Sequence, residues 1–206
     1  MIFLGYLFAF LIALILHEVA HGFVAYKCGD PSAKIAGRLS LNPIKHLDPL
    51  GTLCFMIAPF GWAKPVPVNP FNYRNFKKGN FFVSIAGVTV NLCLAIIFSL
   101  CFFFVDKYMG GDISNLGLYL VYHFFFFATI VNIVLMLFNL LPIFPLDGYN
   151  VLVSFTKPTN GYMRFMRQYS MYVFLCLMLV LMFTGLMGDA AYGIGNGLLW
   201  FWDLIF

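Results

Sequence analysis

Glu18 is the only glutamate in this 206-residue chain, and it stands between two of the four histidines in the pentapeptide His17-Glu18-Val19-Ala20-His21. On a helix, residues four apart project from one face, so His17 and His21 can offer two imidazole nitrogens to a single metal ion. Glu18, about 100° round the helix from His17, can then reach a water on that ion. The residue types suit hydrolysis. Neutral imidazole binds a divalent metal, the metal lowers the pKa of its water towards ~7, and a neighbouring carboxylate takes and returns the proton. The plain structural alternative makes both histidines satisfied polar groups in a helix bundle. Ionisable groups at membrane depth are costly and usually functional, which favours the metal.

The pentapeptide closes an apolar run that begins at Ile2, in a chain that is 62% hydrophobic and 10% charged. Soluble domains carry about 25% charged residues, so this is an integral membrane protein. We read residues 1–206 as one domain, with the core motifs in 1–155 and C-terminal hydrophobic segments in 166–206. The expected fold is an all-α polytopic membrane protein with about five to six hydrophobic segments, at about 2–26, 50–61, 81–105, 116–141, 169–188 and 190–206. The first has no basic start and no A-x-A site, and reads as a retained span rather than a signal peptide. The second is too short to cross ~30 Å of hydrocarbon. Its flanks carry Lys27, Lys34, Arg38 and Lys45 on one side and Lys64, Arg74, Lys77 and Lys78 on the other. Both flanks then belong to the cytoplasm, and the segment should dip in and return. Gly61 to Pro70 reads as an extended, proline-interrupted edge strand, so residues near 50–70 are expected to wall a cavity.

Charge alternation places the N-terminus outside, residues 106–114 outside and 144–168 in the cytoplasm. Segment 190–206 either returns across the membrane or lies at its interface. The net charge of +4 is absorbed by cytoplasmic flanks, leaving no basic face for nucleic acid. Five cysteines without C-x-x-C spacing read as packing residues.

Two histidines need a further protein ligand. Asp147 is the outstanding candidate, in Asn139-Leu140-Leu141-Pro142-Ile143-Phe144-Pro145-Leu146-Asp147-Gly148. Two prolines interrupt the helix and Gly148 permits a sharp turn, so the aspartate is expected on an irregular segment, at the level of His17 and His21. Ser84 and Asn91 share a helix face, as do Asn132 and Asn139, and these stripes either bond between helices or line the cavity. His123 is expected to pack away from the metal. His46 either caps the cavity or belongs to a solvated loop. Phe124 to Phe127 read as packing or lipid-facing residues.

The chain resembles the site-2 protease family of intramembrane metalloproteases, in its small prokaryotic form without an inserted soluble domain. The resemblance rests on HExxHG at His17–Gly22, Gly37-Arg38-Leu39-Ser40-Leu41-Asn42-Pro43, His46-Leu47-Asp48-Pro49-Leu50-Gly51-Thr52, GWAKPVPVNP at Gly61–Pro70, and NxxPxxxLDG at Asn139–Gly148. It departs at Ala86-Gly87-Val88-Thr89-Val90-Asn91, where Val88 replaces a proline common in the family. The resemblance implies one Zn²⁺ per chain on His17, His21 and Asp147, with Glu18 as general base and Asn139 stabilising the oxyanion. It implies an endopeptidase of the prokaryotic inner membrane, surrounded by lipid, that cuts transmembrane segments of other proteins at a site open to the cytoplasm. Lys64, Pro65, Val66 and Asn91 are the candidates for substrate contact. Three other readings use the same residues: a divalent-cation carrier or sensor, an inactive binding scaffold, and an enzyme acting on a small lipid or peptide. The spans show no polar path on both sides of the site, which a carrier needs.

Overall fold

In hydrocarbon a backbone must satisfy its own N–H and C=O groups, which turns apolar runs into helices. The computed structural model describes residues 2–57, 64–109, 115–157 and 159–206. Among the described residues the regular elements are all helical: α1 (Ile2–Cys28), α2 (Ser32–Ile35), α3 (Pro49–Ile57), α4 (Phe76–Met109), α5 (Leu116–Asn139), α6 (Asp147–Phe155), α7 (Gly161–Thr184) and α8 (Leu186–Ile205). Four of them, α1, α4, α5 and α7, are long and apolar enough to cross a membrane. The protein is a multi-pass membrane protein, and the expected five to six segments become these four spans with the shorter α3 and α8.

Local chemistry sets the helix ends. Asn115 Oδ1 caps α5 by accepting from the N–H of Gly117 at 3.0 Å, and Asn160 caps α7 through Tyr162 N at 2.8 Å. Gly185, at φ +66°, ends α7 and turns the chain straight into α8. The last two segments are therefore 161–184 and 186–205. The polar start of α7, with Arg164, Arg167 and Gln168, hides that boundary from a hydropathy reading.

Helices α1, α4 and α5 pack on one another, α6 lies against α4, and α8 lies against α4 and α5. Ala9, Ala13, Ala86, Ala95, Ala128 and Ala191 are buried at these interfaces, where small side chains let backbones approach. The phenylalanine run is a packing feature: Phe124 meets Phe98, and Phe126 meets Phe102 and Tyr192. Trp202 Nε1 donates to Ser99 Oγ at 2.9 Å, tying α8 to α4.

The loops below α1 are organised by buried polar side chains. Asp30 is wholly buried and accepts from Asn69 N at 2.6 Å, Asn72 Nδ2 at 2.8 Å, and Ser32 N and Oγ at 3.1 and 2.5 Å. Arg38, also buried, donates to the carbonyls of Lys45, Lys64 and Pro65. His46 is 1% exposed, with Nε2 2.6 Å from Ser40 O, and its own carbonyl accepts from Lys64 N at 2.8 Å. The solvated-loop alternative for His46 is thereby corrected, because the ring is a strut of the loop core. Residues 64–69 form no strand: side chains and loop carbonyls take their hydrogen-bonding groups, and Pro65 and Pro67 have no N–H to offer a ladder. The turn of the expected re-entrant element, residues 58–63, lies outside the described residues.

Burial pushes the Asp30 carboxyl up, but the hydrogen bonds from Asn69, Ser32 and Asn72 outweigh it and hold the group below the ordinary carboxylate range. A carboxyl held below its unfolded value contributes stability above the ordinary range, and that contribution fades as pH falls through the lowered value. Asp30→Ala should therefore cost about 3 kcal/mol near neutral pH. Unfolding in micelles followed by circular dichroism should show the gap to wild type closing on acidification.

Candidate metal centre

The α1 helix sets His17 and His21 one turn apart, and α4 passes against their rings. A Cβ added at Gly87 would lie 2.5 Å from both His17 Cε1 and His21 Nε2, so only glycine lets α4 approach this closely. The two Nε2 atoms are 3.0 Å apart, and each is 3.2 Å from Asp147 Oδ2. His17 is 5% exposed.

Asp147 reaches this point by a tight path. After α5 the chain turns through Leu141–Ile143 and Ile143–Leu146 backbone bonds of 2.8 Å each, and α6 begins at Asp147 itself. The aspartate thus opens a helix, which corrects the expectation of an irregular segment. A side chain at Gly148 would collide with the carbonyl oxygens of Leu140 and Leu141. Asn80 on α4 anchors α6 by donating from Nδ2 to Asn150 O at 2.6 Å and Ser154 Oγ at 2.9 Å. The Tyr162 hydroxyl donates to Pro142 O, tying α7 to the same turn.

The electrostatics of the three atoms decide what they can hold. His21 Nδ1 lies 2.7 Å from Val83 O, and a carbonyl only accepts, so Nδ1 carries the ring hydrogen and the neutral ring offers a lone pair at Nε2. Asp147 Oδ2 is buried and receives no hydrogen bond. Acceptors brought this close in a low-dielectric interior repel unless a cation lies among them. Tetrahedral ligands at ~2.05 Å from an ion are about 3.3 Å apart, close to the spacing observed. Among the described residues, His17, His21 and Asp147 are the group of potential ligands that converges in this way. They fit a divalent metal.

Glu18 sits beside the ligands, and its Oε2 accepts from Val66 N at 2.9 Å. That bond brings the loop 64–66 to the site. Lys64 and Pro65 are exposed and Val66 is buried. The other two sequence candidates lie differently. Asn91 is wholly buried behind His17, with Oδ1 2.5 Å from His17 Nδ1, so it supports a ligand rather than lining open space. Asn139 donates to Leu135 O at 2.9 Å within its own helix. His123 Nδ1 is bonded to Tyr119 O at 2.9 Å, away from this group. Sequence reasoning named Gly87 only within the Ala86–Asn91 element, without a role, and passed over Asn80; they stand one and three helical turns before Asn91 on α4.

A Bacillus subtilis protein named "Putative zinc metalloprotease YwhC" is 42% identical over 168 residues, covering 81% of this chain and 76% of its own length. The chain belongs to peptidase family M50, the site-2 protease family. The M50 family model matches residues 106–181, which include Asp147. "Putative zinc metalloprotease Rip2" of Mycobacterium tuberculosis is 30% identical over 72% of this chain and 56% of its own length, so the chain spans little more than half of that relative. "Zinc metalloprotease MJ0392" of Methanocaldococcus jannaschii is 26% identical over 74% of this chain and 34% of its own length. No solved structure matches.

For this M50 member the contact of Gly87 with both rings yields a direct test. Gly87→Ala should push the imidazoles off their common point and weaken Co²⁺ binding by about tenfold or more while helical content is kept. Titration of the cobalt absorption bands checks this, and unchanged affinity would show that the rings do not depend on the close approach.

Proposed function

We propose that this chain is a zinc-dependent endopeptidase that hydrolyses peptide bonds in transmembrane segments of other proteins, with its site open to the cytoplasm. The observation that carries the proposal is the convergence of His17 Nε2, His21 Nε2 and Asp147 Oδ2, with Glu18 adjacent, inside apolar helices. The donor set alone also suits other divalent metals. The names of the M50 relatives favour zinc. Bound there, zinc supplies Lewis acidity to a water and to a peptide carbonyl.

The residues of this chain supply the rest. Glu18 takes one proton from the attacking water as its oxygen bonds to the carbonyl carbon. It then delivers that proton to the amide nitrogen as the C–N bond breaks. The Val66 N–H holds the Glu18 carboxylate in place for both transfers. Asn139 is the candidate for steadying the oxyanion, since only one of its two amide hydrogens is committed to Leu135. A helical substrate must unwind first, because its own hydrogen bonds shield the scissile bond. The exposed edge at Lys64 and Pro65, ending on Val66 beside Glu18, is where an unwound segment would lie. Cytoplasmic opening follows from the lysines and arginines of 27–45 and 64–78, which flank the loops nearest the site.

Cleavage of a panel of single-span substrates in liposomes tests this reading. Glu18→Gln should keep zinc and lose about 10²- to 10⁴-fold in rate. Normal cleavage by the zinc-loaded variant would remove Glu18 from the chemistry. Metal flux without cleavage by wild type would favour a carrier.

A further inference from the structure

Behind His17 runs a chain of polar atoms whose hydrogen-bond direction can be read from one end. On α5, Asn132 Nδ2 donates to Ala128 O at 2.7 Å. A carbonyl has no hydrogen to give, so the Asn132 amide is fixed with its NH₂ toward Ala128 and its oxygen toward α4. That oxygen accepts from Asn91 Nδ2 at 2.9 Å, which fixes Asn91 in turn and points Asn91 Oδ1 at His17 Nδ1, 2.5 Å away. Facing an acceptor, Nδ1 must carry the ring hydrogen, and Nε2 is left with its lone pair directed at His21 Nε2 and Asp147 Oδ2. Both asparagines are 0% exposed, so bulk solvent does not reach either amide.

We infer that Asn132 is a positioning residue that sets the tautomer of His17 through Asn91, across the α4–α5 interface. The inference rests on the metal reading of the site. Free histidine prefers the opposite tautomer, with its hydrogen on Nε2, which would close that nitrogen to a metal. Flipping Asn91 would present its NH₂ to His17 and stabilise that closed form. The flip is blocked because Asn132, pinned by Ala128 O, has only an acceptor to offer. His21 needs no such chain, since Val83 O does the same directly. Asparagines used only to hold two helices together would work in either polarity; this chain works in one.

The first measurement is on metal-free wild type in micelles at alkaline pH, with ¹⁵N-labelled histidine. Ring ¹⁵N shifts and couplings should assign Nδ1–H to His17, and an Nε2–H assignment overturns the proposal whatever any variant does. The second measurement is zinc affinity by chelator competition in three side chains of one shape. Asn132→Leu should weaken zinc about 10- to 100-fold, as loss of a support behind a ligating histidine does. Asn132→Asp should stay within about threefold, because a buried carboxyl is neutral and can donate to Ala128 O while accepting from Asn91. Equal affinity in wild type and the leucine variant overturns the proposal, and so does an equal loss in both variants, which would mark a packing defect. Neither readout uses peptide cleavage, so failure of the protease reading would show separately, as zinc bound normally with no hydrolysis.

Discussion

Three lone-pair-bearing atoms held 3.0–3.2 Å apart in a largely buried site are the constraint on which this molecule is built. Left to themselves, two imidazole nitrogens and a carboxylate oxygen would separate or collect protons. They stay together because each is held from behind by a group of the packed fold. Val83 O grips His21, Asn91 grips His17, and the α6 start grips Asp147 through its junction with Leu140 and Leu141. The resulting fitness for a cation is a property of the fold, assembled from α1, α4, α5 and α6 together.

That requirement explains the packing that surrounds it. Helices can bring such atoms to one point only if their backbones come close, and close approach demands small residues. Alanines fill the α1–α4–α5 interfaces, and at Gly87 even a methyl group would strike the rings. In lipid, apolar burial does little to hold helices together, so the polar ties carry weight: Asn91 to Asn132, Asn80 to α6, and Trp202 to Ser99. Large aromatic and aliphatic side chains face outward or pack in the half of the bundle around Phe98–Phe126, where no chemistry needs the space.

Much of this was legible from residue types and spacing. His17, His21 and Glu18 follow from helical geometry, and Asp147 follows from a proline-broken motif at the matching depth. The all-α membrane architecture follows from hydropathy. What escaped was contact made through backbone. Gly87 has no side chain to advertise a role, and Val83 acts by its carbonyl, which every residue has. Asn91 was visible as a polar residue in an apolar span, but whether it looks into a cavity or onto a ligand depends on the rotation of α4, which seven-residue spacing cannot set. His46, lying between Lys45 and Asp48, read equally as a cavity cap or a solvated loop residue; its burial comes from Arg38 drawing the carbonyls of 45, 64 and 65 around one guanidinium. The strand expected over Gly61 to Pro70 is absent from its described part, 64–69, for a related reason, because the groups a ladder would use are taken by Arg38, His46, Glu18 and Asp30.

The loop beside the centre is both anchored and partly exposed. Residues 64–69 are held chiefly by groups from other segments: the Arg38 guanidinium and the His46 main-chain carbonyl at one end, the buried Asp30 carboxylate at the other, and the half-buried Glu18 carboxylate between. A ladder would have tied these residues to a neighbouring strand and used the outward edge. These anchors hold the loop while Lys64 and Pro65 stay exposed and Val66 keeps its bond to the glutamate. Position of the carboxylate and openness of the edge are therefore set by the same few bonds.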